Sequence, residues 1–251
     1  YIKMLFMLNI ISYQMIAKTL EKNKENFLKI YDIVGELEFA LNLCYYRESL
    51  EEYIHPTFIE EDIYEIEEIY HPLLENPIKN SIRIDNSIIF TGSNASGKST
   101  FIKTLGINQI MAQSLNTVLA KKYNVKFSKV VTSMAVKDNI IEGDSYFMAE
   151  IKSLKRLITS LDKEVPVLAL IDEILKGTNT IERIAASSAI LEHGIKTNSK
   201  ILVATHDLEL TQIFEDIYDN YHFTETVTDE DIIFDYKLKH VIDEAYMFQL
   251  T

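Results

Sequence analysis

Cysteine, proline, glycine and tryptophan are all scarce in this 251-residue chain, which has one Cys, four Pro, seven Gly and no Trp. The single Cys44 excludes an internal disulfide framework and suits a reducing compartment. No window reaches the ~18 apolar residues of a membrane-spanning helix. The nearest stretch, residues 1 to 17, is interrupted by Lys3, Asn9 and Gln14 and lacks a signal-peptide cleavage pattern. A cytoplasmic protein is expected. The chain opens on Tyr1 rather than Met, so a fragment is expected too, with room for an upstream targeting or membrane segment.

The residues that are plentiful suit a folded protein. Hydrophobic residues make up 47% and charged residues 25%, and Ile, Leu, Val, Phe and Tyr are too abundant for a solvated coil. The length fits one large domain, or one domain with an appendage. Net charge is −13, unevenly spread. Residues 51–80 carry −8 and residues 201–251 carry −10, whereas residues 81–200 carry +5. Acidic flanks argue against this stretch gripping DNA by itself, because non-specific affinity comes from neutralising phosphates. Most of these charges read as a solvated acidic surface.

Residues 1–50 read as helix. Ile30, Val34, Leu37 and Leu41 recur on one face of a 3.6-residue period, and Leu8, Ile11, Met15 and Leu20 are similarly spaced. The stripe is expected to be a packing face. His55-Pro56 and His71-Pro72 punctuate the chain between residues 50 and 80. Short β-branched runs then appear at 81–85 and 87–91, and continuous apolar runs at 165–171 and 200–205. Such runs suit strands buried on both faces of a parallel sheet. Helical segments are expected over 98–120, 145–161 and 180–197. This alternation points to an α/β sheet with crossover helices. There is no internal repeat or low-complexity segment.

The strongest local signal is Gly92-Ser93-Asn94-Ala95-Ser96-Gly97-Lys98-Ser99, followed by Thr100. It fits G-x-x-x-x-G-K-[ST] between a strand and a helix, where backbone N–H groups and the helix N-terminus face a phosphate. Lys98 is expected to reach the β- and γ-phosphates of ATP, and Ser99 to bind Mg²⁺. The run Val167-Leu-Ala-Leu-Ile-Asp172-Glu173 supplies a strand ending in two carboxylates. Asp172 is placed to hold Mg²⁺ and Glu173 to orient or deprotonate the attacking water. His206, at the end of a further strand, is placed to sense the γ-phosphate. The order of phosphate loop, Asp-Glu strand and strand-end His resembles that of the ABC-type ATPases.

These residues resemble one family more closely. The run TGSNASGKST resembles the T-G-P-N-x-x-G-K-S-T of the MutS family of DNA mismatch repair and related proteins. Gly143-Asp-Ser145-Tyr-Phe147-Met-Ala-Glu150 resembles its G-x-S-T-F-M-x-E segment, and 172–180 its D-E-x-x-x-G-T-x-T. ATHDLEL at 204–210 resembles A-T-H-[YF]-x-E-L. His71-Pro72 with Asn80 resembles the family's H-P approach to its nucleotide domain. Residues 221–223 and 235–239 match its closing strands. The resemblance covers residues ~55 to 250, and 1–50 look like the end of its helical core and lever.

The resemblance implies a P-loop NTPase of the ABC type, with a mixed, mainly parallel sheet flanked by helices. A helical segment (1–54) would precede the ATPase domain (55–251). It further implies a homodimer through the heads, with Ser145, Gly177 and Thr178 reaching the partner's site. Ile78 and Tyr236 would lie near the adenine. DNA would be bound mainly by other parts of the full-length protein, alongside repair-protein partners.

Departures point to a divergent MutS-related branch. Ser93 replaces the usual Pro, and Thr132-Ser133-Met134-Ala135 replaces an Arg-Ile-Gly segment. Tyr146 replaces Thr, and Leu175-Lys176 replaces Gly-Arg. No Phe-x-Glu wedge domain is present, and Phe223-Thr-Glu225 is expected to be strand. The transporter signature L-S-G-G-Q is absent. Two rivals remain: an ABC head of a membrane-associated or chromosome-maintenance machine, and a nucleotide-gated binding module with negligible turnover.

Overall fold

The computed structural model describes residues 8–134, 146–161, 165–175, 178–227 and 232–240. The chain divides into two compact units, Tyr1–Glu51 and Glu52–Thr251. In the first, α1 (Leu8–Lys22) and α2 (Lys24–Ser49) are separated by Asn23. The expected helices form, but α2 buries no residue. Ile30, Val34, Leu37 and Leu41 stay 61, 55, 60 and 57% exposed, so within this unit the stripe covers nothing. Two successive helices offer no further surface to that face, and apolar periodicity reports a face without supplying its partner.

The second unit is built on two sheets. Its main sheet has the order β10-β9-β4-β8-β7-β6. Here β4 is Ile88–Gly92, β6 Lys129–Ser133, β7 Val167–Asp172, β8 Ser199–Ala204, β9 Asp219–Val227 and β10 Ile232–His240. Neighbours from β9 through β6 pair parallel, and only β10 is antiparallel. The protein is therefore α/β with a mixed, mostly parallel sheet, and helices flank it.

Alternation explains the continuous apolar runs. On β7, Leu168 and Leu170 enter one core, while Val167, Ala169 and Ile171 enter the other. On β8, Leu202 and Ala204 face the first core, and Ile201 and Val203 the second. Both faces are covered, so the middles of these strands are apolar and polar residues fall at their ends, Asp172 on β7 and Ser199 and Lys200 on β8. The first core is closed by α3 (Lys98–Leu115), through Phe101, Ile102 and Leu105. The second is closed by α4 (Tyr146–Leu161), α5 (Thr180–Ile195) and α6 (Leu208–Ile213), through Leu154, Leu157, Leu191 and Leu210.

The second sheet has the order β1-β5-β2-β3, with β1 Thr57–Phe58, β2 Tyr64–Ile69, β3 Asn80–Ile84 and β5 Lys122–Val125. Its apolar face, including Tyr64, Ile66, Ile84 and Tyr123, joins the same core as α3. The expected strand at 81–85 thus exists but belongs to a small, mostly antiparallel sheet and not to the α/β sheet. The helix expected over 98–120 stops at Leu115. Asn116 takes the left-handed conformation, φ 49°, that terminates helices, and Val118 instead bridges Ile54. The helix expected over 180–197 ends at Ile195.

Candidate functional site

The glycine loop lies between β4 and α3, at the carboxyl end of a strand flanked by β8 and β9. Open α/β sheets place ligands at such strand ends. Three residues give the loop its path: Gly92 at φ 140°, Ala95 at φ 66° and Gly97 at φ 107°. At Gly92 a Cβ would stand 2.7 Å from the Phe223 carbonyl oxygen, so only glycine fits. Gly97 starts α3 with no side-chain cap, which leaves first-turn N–H donors and the positive end of the helix dipole at the loop.

The side chains converge on the same place. Lys98 is buried and its Nζ donates to the carbonyls of Gly92 at 2.6 Å and Ser93 at 2.7 Å. Ser99 Oγ donates to Asp172 Oδ1 at 2.7 Å, joining α3 to the end of β7. His206 Nε2 lies 3.2 Å from Glu173 Oε1. Glu173 itself is at φ 61°, with its N–H bonded to the Ala204 carbonyl at 2.9 Å, so the bend after β7 is pinned to β8. Ser96 Oγ is buried and makes no hydrogen bond among the described residues. Asn94, Ala95 and Thr100 are exposed and line the cleft beside the loop.

A cleft of about 850 Å³ runs from this loop to a second wall made by Tyr70, His71, Pro77 and Ile78 and by the bulged part of β10. That volume is in the range of nucleotide-sized ligands. Ile78 and Tyr236 both line it, and both are partly exposed, at 45 and 43%. Tyr236 occupies the β10 bulge at φ 54° and stacks on Phe234 at 6.0 Å. Its ring Cδ1 is 3.2 Å from where a Cβ on Gly97 would be, so the aromatic leans over the glycine loop. Asn80 fixes the bulge, donating to the Tyr236 carbonyl and accepting from the Leu238 N–H, each at 2.9 Å. Burial holds His71 below the usual histidine range, with Lys103 adding repulsion.

A metal would find limited help from protein. No cluster of three His, Cys, Asp or Glu among the described residues could hold one. Ser99 and Asp172 offer one hydroxyl and one carboxylate, a hard-oxygen pair that suits Mg²⁺, which keeps waters and phosphate oxygens as its other ligands.

Beside this centre lies an ion pair that the sequence motifs did not flag. Arg183 on α5 grips Asp207 in two-pronged fashion, Nε to Oδ2 at 2.8 Å and Nη2 to Oδ1 at 2.5 Å. The Arg183 guanidinium outweighs partial burial and holds the Asp207 carboxyl below the usual aspartate range. The available signal was an arginine three residues past the 172–180 run and an aspartate inside the 204–210 run. Thr178 is half-buried, and its hydroxyl donates to Glu182 at 2.7 Å. Ser145 and Gly177 lie outside the described residues. The structure thus brings together Lys98, Ser99, Asp172, Glu173 and His206. Ile78 and Tyr236 lie across the cleft, while Thr178 does not line it.

A wrapped glycine loop at a helix N-terminus, with hydroxyl–carboxylate and carboxylate–imidazole pairs beside it, defines a class. This is an α/β protein with an anion-attracting loop at the carboxyl edge of a mainly parallel sheet. A sequence profile of MutS domain V matches residues 88–249, and the chain belongs to the MutS family. It is similar to the DNA mismatch repair protein MutS of Thermotoga maritima, 32% identical over 251 residues, covering 95% of this chain and 31% of that protein. It is also similar to human MutS protein homolog 4, 31% identical over 260 residues, covering 95% of this chain and 27% of that protein. A third relative is the DNA mismatch repair protein MutS of Staphylococcus aureus strain Newman, 28% identical, with 96% of this chain and 29% of that protein covered. The chain therefore spans less than a third of the length of these relatives.

Proposed function

We propose that the unit Glu52–Thr251 is an ABC-type P-loop ATPase head that binds ATP with Mg²⁺ and hydrolyses it to ADP and phosphate. The observation that carries this is the 2.7 Å contact between Ser99 and Asp172, next to the Glu173–His206 pair and the glycine loop. An oxygen pair fit for a hard cation thereby adjoins a carboxylate fit to take a proton, at the wall of one cleft.

Each residue then has a task. The loop N–H groups and Lys98 neutralise phosphate charge, which a low-dielectric site makes more effective. Lys98 exchanges its two carbonyl partners for phosphate oxygens. Ser99 and Asp172 would hold Mg²⁺, whose charge screens the β- and γ-phosphates when bound. Glu173 orients a water and accepts its proton as the water oxygen attacks the γ-phosphorus. The bond from γ-phosphorus to the bridging oxygen breaks, and ADP leaves with that electron pair. His206 keeps Glu173 aimed and contacts the γ-phosphate. Tyr236 and Ile78 hold the base, Tyr236 by stacking.

Membership of the family and the names of the relatives support a wider reading. ATP closes two heads into a homodimer, with Ser145, Gly177 and Thr178 reaching the opposite nucleotide. The helices of residues 1–54 carry that closure towards DNA-binding parts of a mismatch-repair or DNA-processing protein. The test is titration of ATP with Mg²⁺ or with EDTA, sedimentation of the same samples, and phosphate release. Mg²⁺-dependent turnover accompanied by dimerisation is expected. Tight ATP binding without phosphate release would instead identify a nucleotide-gated binding module.

A further inference from the structure

The turn carrying His206 is strapped at both ends. Before the histidine, the Thr205 N–H donates to the Phe90 carbonyl at 3.0 Å, tying the turn to β4 just ahead of the glycine loop. After it, Asp207 accepts both prongs of Arg183, and its own N–H donates to Thr205 Oγ1 at 3.0 Å. His206 therefore projects from a span held by strand on one side and by α5 on the other. Its Nε2 meets Glu173 at 3.2 Å.

The two straps differ in kind. The first is a backbone bond that any residue but proline could make. The second depends on two side chains and is enclosed, with the Asp207 side chain only 9% exposed and that of Arg183 24%. A planar fork on a carboxylate fixes orientation as well as distance, which a lysine cannot do. Where the family's motif carries an aromatic residue after the histidine, this chain has Asp207. Arg183 lies one turn into α5, whose N-cap Asn179 directly follows Thr178.

The geometry points to Arg183 as a positioning residue: through Asp207 it holds the 205–207 turn so that His206 stays against Glu173, and it ties the start of α5 to that pair. This role rests on the hydrolytic reading of the site. Arg183 does not line the cleft, whereas His206 and Glu173 do, so it acts through His206. Any shift of α5 is passed to Glu173 along three contacts: Arg183 to Asp207, the turn itself, and His206 to Glu173.

A double-mutant cycle on the whole chain tests this, with kcat and ATP Kd measured for wild type, Arg183→Met, His206→Ala and the pair. Arg183→Met is expected to lower kcat by about 10- to 100-fold, as small misplacements near a reacting centre do, with Kd within about threefold. In the His206→Ala background the same change is expected to do nothing further, since the residue it serves is gone. Asp207→Asn should match Arg183→Met, and it reads the same contact if the arginine variant folds poorly. A purely structural role would lower folded content in both backgrounds equally. An active wild type with Arg183→Met and Asp207→Asn at wild-type kcat, or with additive losses in the cycle, overturns this inference alone. A wild type that binds ATP but releases no phosphate, at concentrations where it dimerises, overturns the hydrolytic reading and this one with it.

Discussion

Gly92 shows how narrowly single residues constrain the site. Its φ of 140° lies in a region an L side chain rarely enters, and a Cβ would meet the Phe223 carbonyl oxygen at 2.7 Å. Gly92→Ala is expected to lower stability by about 2 kcal/mol or more, a strained-backbone cost with a steric addition, read from urea midpoints. ATP binding should be lost with it. Tyr236→Ala is expected to raise the ATP Kd by roughly 2- to 10-fold, the equivalent of ~0.5–1.5 kcal/mol of stacking, whereas Tyr236→Phe should not. An unchanged Kd would remove Tyr236 from the base site. The glycine loop and the Asp-Glu pair were legible in the sequence because positive φ at Gly92 and Gly97 and the apolar strand ending at Asp172 fix both spacing and residue type. The Arg183–Asp207 pair was not, because its partners are 24 residues apart and Asp207 stands where the motif at 204–210 has an aromatic residue.

At the scale of elements, legibility followed burial. Strands β7 and β8 stood out because both of their faces are covered, leaving the unbroken apolar runs Val167–Ile171 and Ile201–Ala204. Of the small sheet only β3 stood out, as the run at 81–85. In β2 the alternation of Tyr64 and Ile66 breaks at a bulge, where Glu68 adopts φ 53° before Ile69 returns to the core. One extra residue erases a period of two. Helix α3 ends earlier than its sequence pattern predicts, because Leu115-Asn-Thr-Val-Leu119 stays largely apolar past the αL residue Asn116 that terminates it. By contrast α5 begins where its cap lies: Asn179 Oδ1 accepts the Glu182 N–H at 2.9 Å. Asn179→Ala should cost about 1 kcal/mol in thermal or urea unfolding, with Asn179→Asp close to wild type. If the alanine variant unfolds like wild type, the cap contributes nothing.

Over the whole molecule, the scarcity of glycine and the uneven charge both resolve onto the second unit, where Gly92 and Gly97 shape the loop and the +5 segment 81–200 contains it. Several groups also make its stability depend on pH. Burial pushes His71 and His222 below the ordinary histidine value of 6.5, with Lys103 and Lys239 adding repulsion. The unfolded chain then binds those protons first. Their contribution is complete above about pH 6.5 and is lost as pH falls through the lower folded values. Arg183 depresses Asp207, and its share is lost only further down, below the ordinary aspartate value of 3.8. Urea midpoints should fall between about pH 7 and about pH 5, and a His71→Gln, His222→Gln pair should flatten that part of the curve. A midpoint that is level in the wild type would contradict the assignment. The central claim, hydrolysis with Glu173 as the base, is tested most directly by steady-state phosphate release from Glu173→Gln beside its ATP affinity. The account predicts a kcat lowered by about 10²- to 10⁴-fold, the usual worth of a positioned general base, with ATP still bound. Turnover at the wild-type rate would contradict it.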